Sequence, residues 1–168
     1  MNAVEPVEAF VALGSNLGNS LGIIQEAFDR LDLLSQAPVR RSSVWRSAPV
    51  DCPPGSPDFL NAVAGITPID GETPESLLAK LKQLEVECGR RPKLVLNEPR
   101  PLDLDLILFG NEQRAGDHLI LPHPRAHLRG FVLLPLAELV PELVLPGQMQ
   151  SVSQLALRFC HQSVSKLP

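Results

Sequence analysis

Residues 102–109, with the sequence LDLDLILF, constrain the fold of this chain more than any other segment. Alternate residues of a β-strand point to opposite faces, so the pattern predicts a strand with leucines on one face and two aspartates on the other. The leucines are Leu102, Leu104, Leu106 and Leu108, and the aspartates are Asp103 and Asp105. We expect so leucine-rich a strand to lie in the centre of a sheet, where its apolar face is buried.

The segments before this strand predict an α+β fold. The expected elements are a strand at residues 9–13, a turn at 14–19, a helix at 20–34, strands at 39–46 and 59–67, and a helix at 74–89. With the strand at 102–109, the order is βαββαβ, which is the ferredoxin-like arrangement of an antiparallel sheet with helices packed on it. After residue 110 we expect mixed, proline-punctuated segments.

Composition narrows the class of protein. With 168 residues, 44% of them hydrophobic, the chain supports one core, and we expect a single domain over residues 1–168. A net charge of −4 argues against nucleic acid as a partner, because binding to nucleic-acid phosphates needs an excess of positive charge.

The first residues and the cysteines of the sequence both favour a cytoplasmic location. Residues 1–8 contain no lysine or arginine, and the most apolar run, residues 131–140, is too short to span a bilayer and includes Pro135 and Glu138. Cys52, Cys88 and Cys160 form no CxxC pair and are odd in number, so we expect reduced thiols. We therefore expect a cytoplasmic protein with no membrane partner.

The two aspartates are candidate metal ligands. Along one strand Asp103 and Asp105 are about 6.6 Å apart, and their charges repel each other unless a cation lies near them. Oxygen ligands of this kind suit Mg²⁺, which adds water and substrate phosphate to one or two carboxylates. The alternative is a strand with a solvated face.

A basic loop at residues 90–101 leads into the same strand. Arg90 and Arg100 flank its route, and a guanidinium binds phosphate oxygens in a bidentate manner. A solvated basic loop is the alternative. Together with the aspartates, however, the loop indicates a nucleotide-phosphate site.

Two further groups could complete such a site. His123 lies between prolines, near Arg129 and Phe131, where a phosphate contact and an aromatic platform could share one rim. Phe59 and Asn61 project from one face of a strand, and a ring beside an amide suits a flat heterocycle. A structural histidine, a core phenylalanine and a strand-end asparagine are the alternatives.

In this order the motifs make the chain resemble the 6-hydroxymethyl-7,8-dihydropterin pyrophosphokinases, over about residues 10–145. The motifs are LGSNLG at residues 13–18, DFLN at 58–61, PRPLDLD at 99–105, and Pro122-His123 followed by Arg129-Gly130-Phe131. Any one motif is weak, but the ordered set is specific. The resemblance implies one pyrophosphokinase domain that transfers pyrophosphate from ATP to a pterin alcohol in folate biosynthesis, releasing AMP.

The resemblance also implies roles for individual residues. Two Mg²⁺ ions would be bound by Asp103 and Asp105, which with Arg90 and Arg100 form the catalytic set. The ATP-binding residues would be Glu85, Arg90, Arg100, Leu106, His123 and Arg129, with Leu106 meeting adenine through its backbone. The pterin-binding residues would be Ser47, Val50, Phe59, Asn61 and Phe131. The expected partners are these two small molecules, and the expected state is a monomer.

The basic loop departs from the family pattern. Leu96-Asn97-Glu98 stands where a basic and aromatic stretch is usual, and Pro92 stands where another arginine is common. Two alternatives follow. One is a non-catalytic ATP-binding or regulatory domain of ferredoxin-like fold, and the other is a structural interaction module.

Overall fold

The computed structural model describes residues 5–161 and 163–168. Its strands are β1 (Ala9–Ser15), β2 (Arg40–Arg41), β3 (Trp45–Ser47), β4 (Phe59–Ile66), β5 (Asp103–Phe109), β6 (Arg114–Ala115), β7 (Ile120–Leu121) and β8 (Val164–Lys166). Its α-helices are α1 (Ser20–Asp32), α2 (Pro74–Glu87), α3 (Gly130–Leu139) and α4 (Val152–Ala156), and 3₁₀ turns occupy Ala126–Leu128 and Leu157–Phe159. No helix in these described residues is long and apolar enough to cross a membrane.

The two expected helices begin and end on local signals. Asn19 caps α1 by accepting a hydrogen bond from the backbone nitrogen of Gly22. Thr73 and Ser76 form a reciprocal capping box at the start of α2, and Pro74 occupies its first turn. Gly89, just beyond the end of α2, has φ +95°, a left-handed conformation that suits glycine.

The sheet has the strand order β5-β1-β4-β3-β8, all antiparallel, and β2 also pairs with β4. Its first four members reproduce the expected ferredoxin-like βαββαβ core, so the predicted fold is confirmed. The strand expected at residues 39–46 is divided into β2 and β3. Between them the Ser42 hydroxyl accepts the hydrogen bond from the nitrogen of Val63, which interrupts the regular ladder.

Two expectations about β5 were wrong. The strand is an edge strand rather than a central one, and polar side chains of α2 bind its outer edge. Phe10 pairs with Leu108 and Val11 pairs with Leu106, so Ile107 is an extra residue in a β-bulge. The bulge turns Leu108 away from the other leucines and into the core on the opposite face.

Helices cover both faces of the sheet. α1 and α2 pack on one face, over a core that includes Leu13, Leu81 and Leu104. α3 and α4 pack on the other face, over Phe10, Val63 and Leu133. The expectation of mixed segments after residue 110 therefore missed α3, α4 and β8. α3 is apolar on most sides because it is covered by both the sheet and α4, so it shows little amphipathic period.

Candidate active site

A cavity of about 710 Å³ opens on the α3 face of the sheet, between the ends of the central strands and the loops that follow them. Nine of the predicted site residues line it: Ser47, Val50, Phe59, Asn61, Arg100, Asp103, Asp105, Arg129 and Phe131. Glu85, Arg90, Leu106 and His123 lie around it rather than on its wall. The structure thus brings the predicted heterocycle and phosphate groups to one cavity.

Gly14 of β1 forms part of the cavity floor. A β-carbon built on Gly14 lies 3.6 Å from Asn61 Oδ1, 3.8 Å from Phe59 Cδ1 and 4.0 Å from Asp103 Cβ. β1 lies between β4 and β5, so the register places side chains from both neighbours around this glycine. The absence of a side chain at residue 14 leaves the space between the aromatic-amide pair and Asp103 open.

Asp103 is bound by two arginines. Its Oδ1 accepts a hydrogen bond from Arg90 Nη1 at 2.7 Å, and its Oδ2 lies 3.2 Å from Arg100 Nη2. Burial alone raises the pKa of Asp103, but the positive charges of Arg100 and Arg90 outweigh it and hold the pKa below its ordinary value. The Asp103 carboxylate is therefore ionised at neutral pH.

Two arginines lie over aromatic rings at the cavity rim. Arg100 Cζ is 5.3 Å from the centre of the Phe59 ring, and Arg129 Cζ is 5.6 Å from the centre of the Phe131 ring. Cation–π attraction holds a guanidinium in this position. Arg129 Nη1 also lies 3.9 Å from Asp105 Oδ2. Each predicted aromatic platform is thus paired with a predicted phosphate-binding arginine.

Asn16 fixes the backbone of Arg100, and sequence reasoning missed it. Its Oδ1 accepts a hydrogen bond from the nitrogen of Arg100 at 2.9 Å, and its Nδ2 donates to the carbonyl of Pro57 at 3.3 Å. Its position in the turn after β1 could have pointed to it. Arg100 Nε is buried and has no hydrogen-bond partner among residues 5–161 and 163–168. A buried donor in that state favours an anionic ligand.

The amide of Asn61 is oriented by Ser47. Asn61 Nδ2 donates a hydrogen bond to Ser47 Oγ at 2.8 Å, and both residues are buried at the cavity wall. Since Nδ2 is engaged, Oδ1 is the atom of this amide that can accept a hydrogen bond from a ligand. Phe59 precedes Asn61 by two residues and shares its face of β4, as the alternation predicted.

His123 lies beside the arginine cluster. Its nitrogen donates to the carbonyl of Ile107 at 2.9 Å, and its Nδ1 accepts a hydrogen bond from the nitrogen of Arg125 at 3.2 Å. Burial, with Arg129 and Arg125, lowers the pKa of His123, although Asp105 opposes the change. The imidazole is therefore neutral at pH 7, with its proton on Nε2. Burial and Arg125 also lower the pKa of Arg129.

Three predicted site residues lie outside the cavity: Leu106 is part of β5, and Glu85 and Arg90 bind that strand. Glu85 is 3% exposed, and its Oε1 accepts a hydrogen bond from the nitrogen of Leu104 at 2.6 Å. Arg90 Nη1 lies 2.8 Å from Glu85 Oε2, so Arg90 joins this carboxylate to Asp103. The Leu106 side chain is buried in the α1/α2 core, and by register its backbone polar groups face away from β1.

Sequence reasoning also missed residues from two loops and from the C-terminal segment. The additional lining residues with polar or aromatic side chains include Asp51, Asn97, Arg125, Phe159 and His161. Asn97 Nδ2 donates a hydrogen bond to the carbonyl of Asp51 at 2.8 Å, joining the two loops. The unusual Leu96-Asn97-Glu98 stretch was the available signal for Asn97. No local pattern marks Phe159, because only the tertiary fold brings it to the cavity.

Asp103 and Asp105 are the residues that could hold a metal ion. Within the described parts of the chain, no cluster of three or more His, Cys, Asp or Glu side chains could do so. Two carboxylates fit Mg²⁺, which takes one or two protein carboxylates and completes its shell with water and phosphate oxygens. The donor set therefore fits magnesium that is shared with a phosphate ligand.

Comparison with known proteins identifies the family. The profile described as 7,8-dihydro-6-hydroxymethylpterin-pyrophosphokinase (HPPK) matches residues 10–141. The chain is 37% identical to the 2-amino-4-hydroxy-6-hydroxymethyldihydropteridine pyrophosphokinase of Haemophilus influenzae, over 96% of this chain and 98% of that one. It is 40% identical to the Pseudomonas aeruginosa protein of the same name, over 95% of this chain and 96% of that one.

A solved structure shares the fold. The wild-type Plasmodium falciparum HPPK-DHPS crystallised with pteroate matches with a TM-score of 0.72 at 12% identity, over 92% of this chain and 44% of that longer chain. Fold and site thus define an α+β enzyme of the pyrophosphokinase class. The chain belongs to the 7,8-dihydro-6-hydroxymethylpterin-pyrophosphokinase family. The predicted resemblance is confirmed.

Proposed function

We propose that this chain transfers pyrophosphate from ATP to 6-hydroxymethyl-7,8-dihydropterin in folate biosynthesis, with magnesium required and AMP released. The observation that carries the proposal is the convergence of Phe59, Asn61 and Asp103 around Gly14. A heterocycle held by the first two would place its substituent beside the carboxylate. That proximity is what transfer between two bound substrates requires.

The acceptor subsite uses aromatic and amide groups. The pterin would stack between Phe59 and Phe131, both of which line the cavity. Asn61 Oδ1 would accept a hydrogen bond from the ring, while Ser47 holds the amide in orientation. Val50 would lie along the same edge of the pterin.

The ATP subsite uses the arginines. Arg90 and Arg100 neutralise Asp103. The buried Nε of Arg100, which has no hydrogen-bond partner among the described residues, favours a further oxygen ligand. These arginines and Arg129 would bind and orient the phosphates, and His123 would donate a hydrogen bond from Nε2 without adding charge. Leu106 would meet adenine through its outward backbone. Glu85 would act on the nucleotide indirectly, by holding β5 and Arg90.

Magnesium, as two ions held by Asp103 and Asp105, would supply charge neutralisation on the phosphates of ATP. The hydroxymethyl oxygen forms a bond to the β-phosphorus, and the bond from that phosphorus to the oxygen bridging to the α-phosphorus breaks. AMP leaves with that oxygen, and the hydroxyl proton passes to solvent. The chain's residues position both substrates and neutralise the charge of the phosphates, which are the main requirements of phosphoryl transfer.

The whole of residues 1–168 is proposed to act as one pyrophosphokinase domain, as a monomer in the cytoplasm. Support for one domain comes from the two hydrophobic cores, which lie on opposite faces of the same sheet. The substrates are small molecules, and nucleic acid is not among the proposed partners. Analytical sedimentation of the purified chain, with and without substrates, measures its mass in solution and so tests the proposed monomeric state.

The deciding experiment is product analysis. Incubation of the purified chain with Mg-ATP and the pterin alcohol is expected to release AMP in step with pterin pyrophosphate. Omission of the pterin is the control and is expected to leave ATP intact. Release of ADP would contradict the proposal. Tight binding of ATP without turnover would support a regulatory domain, and no magnesium-dependent binding of ATP would support an interaction module.

A further inference from the structure

The C-terminal segment forms a wall of the cavity. The match to the family profile ends at residue 141, yet the cavity is also lined by Phe159, His161, Ser163 and Val164. These residues follow α4 and lead into β8. One side of the candidate active site is therefore built by residues beyond the matched region.

Backbone pairing holds this segment beside the acceptor subsite. β8 is antiparallel to β3, with Ser47 opposite Val164 and Trp45 opposite Lys166. The nitrogen of Leu167 donates to the carbonyl of Val44 at 2.9 Å. Because Ser47 orients the Asn61 amide, the segment is attached to the strand that arranges the heterocycle subsite.

Phe159 contacts the first residue of α3. A β-carbon built on Gly130 lies 2.7 Å from Phe159 Cβ, 2.8 Å from its Cγ and 2.9 Å from its Cδ1. Real β-carbons do not approach other atoms so closely, so the Phe159 side chain, from its Cβ to its ring, requires glycine at residue 130. Gly130 stands between Arg129 and Phe131, which supply a guanidinium and a ring to the cavity rim.

We propose that Phe159 is a positioning residue for the acceptor, a role that rests on the proposed function. Its side chain packs against Gly130 and fixes the start of α3, and so fixes Phe131 on the wall of the cavity that Phe59 also lines. Loss of the ring lets α3 begin in a different position and loosens the stacking platform. The larger effect falls on the pterin, because the segment is joined to β3 and Ser47. Arg129 also adjoins Gly130, but its guanidinium has a second anchor in Asp105, so ATP binding depends less on Phe159.

The test compares binding of the two substrates. Pterin fluorescence titrations, with magnesium and a non-hydrolysable ATP analogue at saturation, give the Kd for the pterin alcohol. Phe159→Ala is expected to raise that Kd and the pterin KM about tenfold, through loss of an aromatic contact. The Kd of the ATP analogue is expected to stay within twofold, and Phe159→Leu to recover part of the pterin affinity.

Leu157→Ala is the matched control. Leu157 is 68% exposed in the same segment and does not line the cavity, so this variant is expected to keep wild-type constants. A wild-type chain that releases no AMP overturns the proposed function. A wild-type chain that releases AMP, with Phe159→Ala showing an unchanged pterin Kd, overturns the positioning role alone.

A double-mutant cycle tests the contact itself. Gly130→Ala introduces the clash and is expected to raise the pterin Kd. In Gly130→Ala/Phe159→Gly the Cβ, Cγ and Cδ1 atoms that the new methyl group would meet are all absent, so its Kd is expected to equal that of Phe159→Gly. Effects that simply multiply would show that Gly130 and Phe159 act independently, and would overturn the inference even where Phe159→Ala alone binds poorly. Thermal unfolding of each variant identifies loss of fold.

Discussion

Glu85 Oε1 accepts a hydrogen bond from the backbone nitrogen of Leu104 at 2.6 Å, so a helix side chain binds the outer edge of the strand that carries both aspartates. Lys82 Nζ donates to the carbonyl of the same leucine at 2.8 Å. Together the two side chains satisfy the backbone groups of Leu104 on the edge of β5 opposite β1, where no strand of the described residues pairs with it. Asp103 is adjacent to this residue, so its position depends on α2.

Removal of the Glu85 carboxylate is expected to destabilise the protein. Glu85→Ala leaves the nitrogen of Leu104 without its acceptor and Arg90 with one carboxylate partner instead of two. We expect the free energy of unfolding to fall by about 3 kcal/mol, the scale of a broken buried ion pair. Urea denaturation measures this, with Glu85→Gln as the control that keeps an acceptor oxygen. Equal loss in both variants would show that charge, not the hydrogen bond, matters.

Substitution of either aspartate is expected to abolish turnover without unfolding the chain. Asp103→Ala and Asp105→Ala each remove one of the two proposed magnesium ligands, so kcat is expected to fall roughly 10³-fold or more. Arg90 keeps its partner Glu85 in Asp103→Ala, which preserves the local fold. AMP release measures turnover, and circular dichroism checks the fold. Full activity in a folded variant refutes the metal assignment at that residue.

Local sequence patterns predicted the residues of the site better than they predicted the contacts around it. The placement of Asp103 and Asp105 on one face follows from the two-residue period of a strand, which is a local property. The position of Leu108 does not, because its bulge arises from pairing with Phe10 on another strand. Likewise, the contact of Glu85 with β5 depends on how α2 docks, which no spacing in the sequence encodes.

The same distinction separates the helices. α1 and α2 lie on the same face of the sheet, and each is buried on one side only, so each shows caps and an apolar stripe that make it predictable. α3 is buried on two sides and contains Pro135, so its pattern is typical of an irregular apolar segment. Phe159 lies in the cavity wall because β8 pairs with β3. That pairing joins residues far apart in the sequence, so no local pattern predicts it.

Asn97 is expected to hold two cavity loops together. It has φ +55°, which asparagine tolerates, and its Nδ2 donates to the carbonyl of Asp51, which has φ +53°. Asn97→Gly keeps the backbone conformation available and removes the hydrogen bond, worth about 1 kcal/mol. We expect the KM of the enzyme for its substrates to rise about fivefold, because both loops line the cavity in which the substrates are proposed to bind. Steady-state kinetics measure it, and an unchanged KM contradicts the role.

Because of Glu138, the free energy of unfolding is expected to fall when the pH becomes acidic. It accepts hydrogen bonds from Trp45 Nε1 at 2.6 Å and Ser43 Oγ at 2.9 Å, with Lys166 Nζ 3.7 Å away. Burial raises the pKa of Glu138, but the bonds from Trp45 and Ser43 outweigh it, so the folded pKa lies below 4.5. A lowered folded pKa contributes stability above the unfolded pKa, and this stability is lost as pH falls through the folded pKa.

The sole tryptophan of the chain, Trp45, reports on this bond directly. Fluorescence of the folded chain is expected to change with a midpoint below pH 4.5, and Glu138→Gln to remove that transition because an amide does not titrate. At pH 7 the variant is expected to be less stable by about 1 kcal/mol, a loss typical of weakening hydrogen bonds to a charged acceptor. Urea denaturation at pH values below the midpoint of the fluorescence change is expected to bring the stabilities of the two proteins together. A stability gap that persists there would place the pH-sensitive group elsewhere.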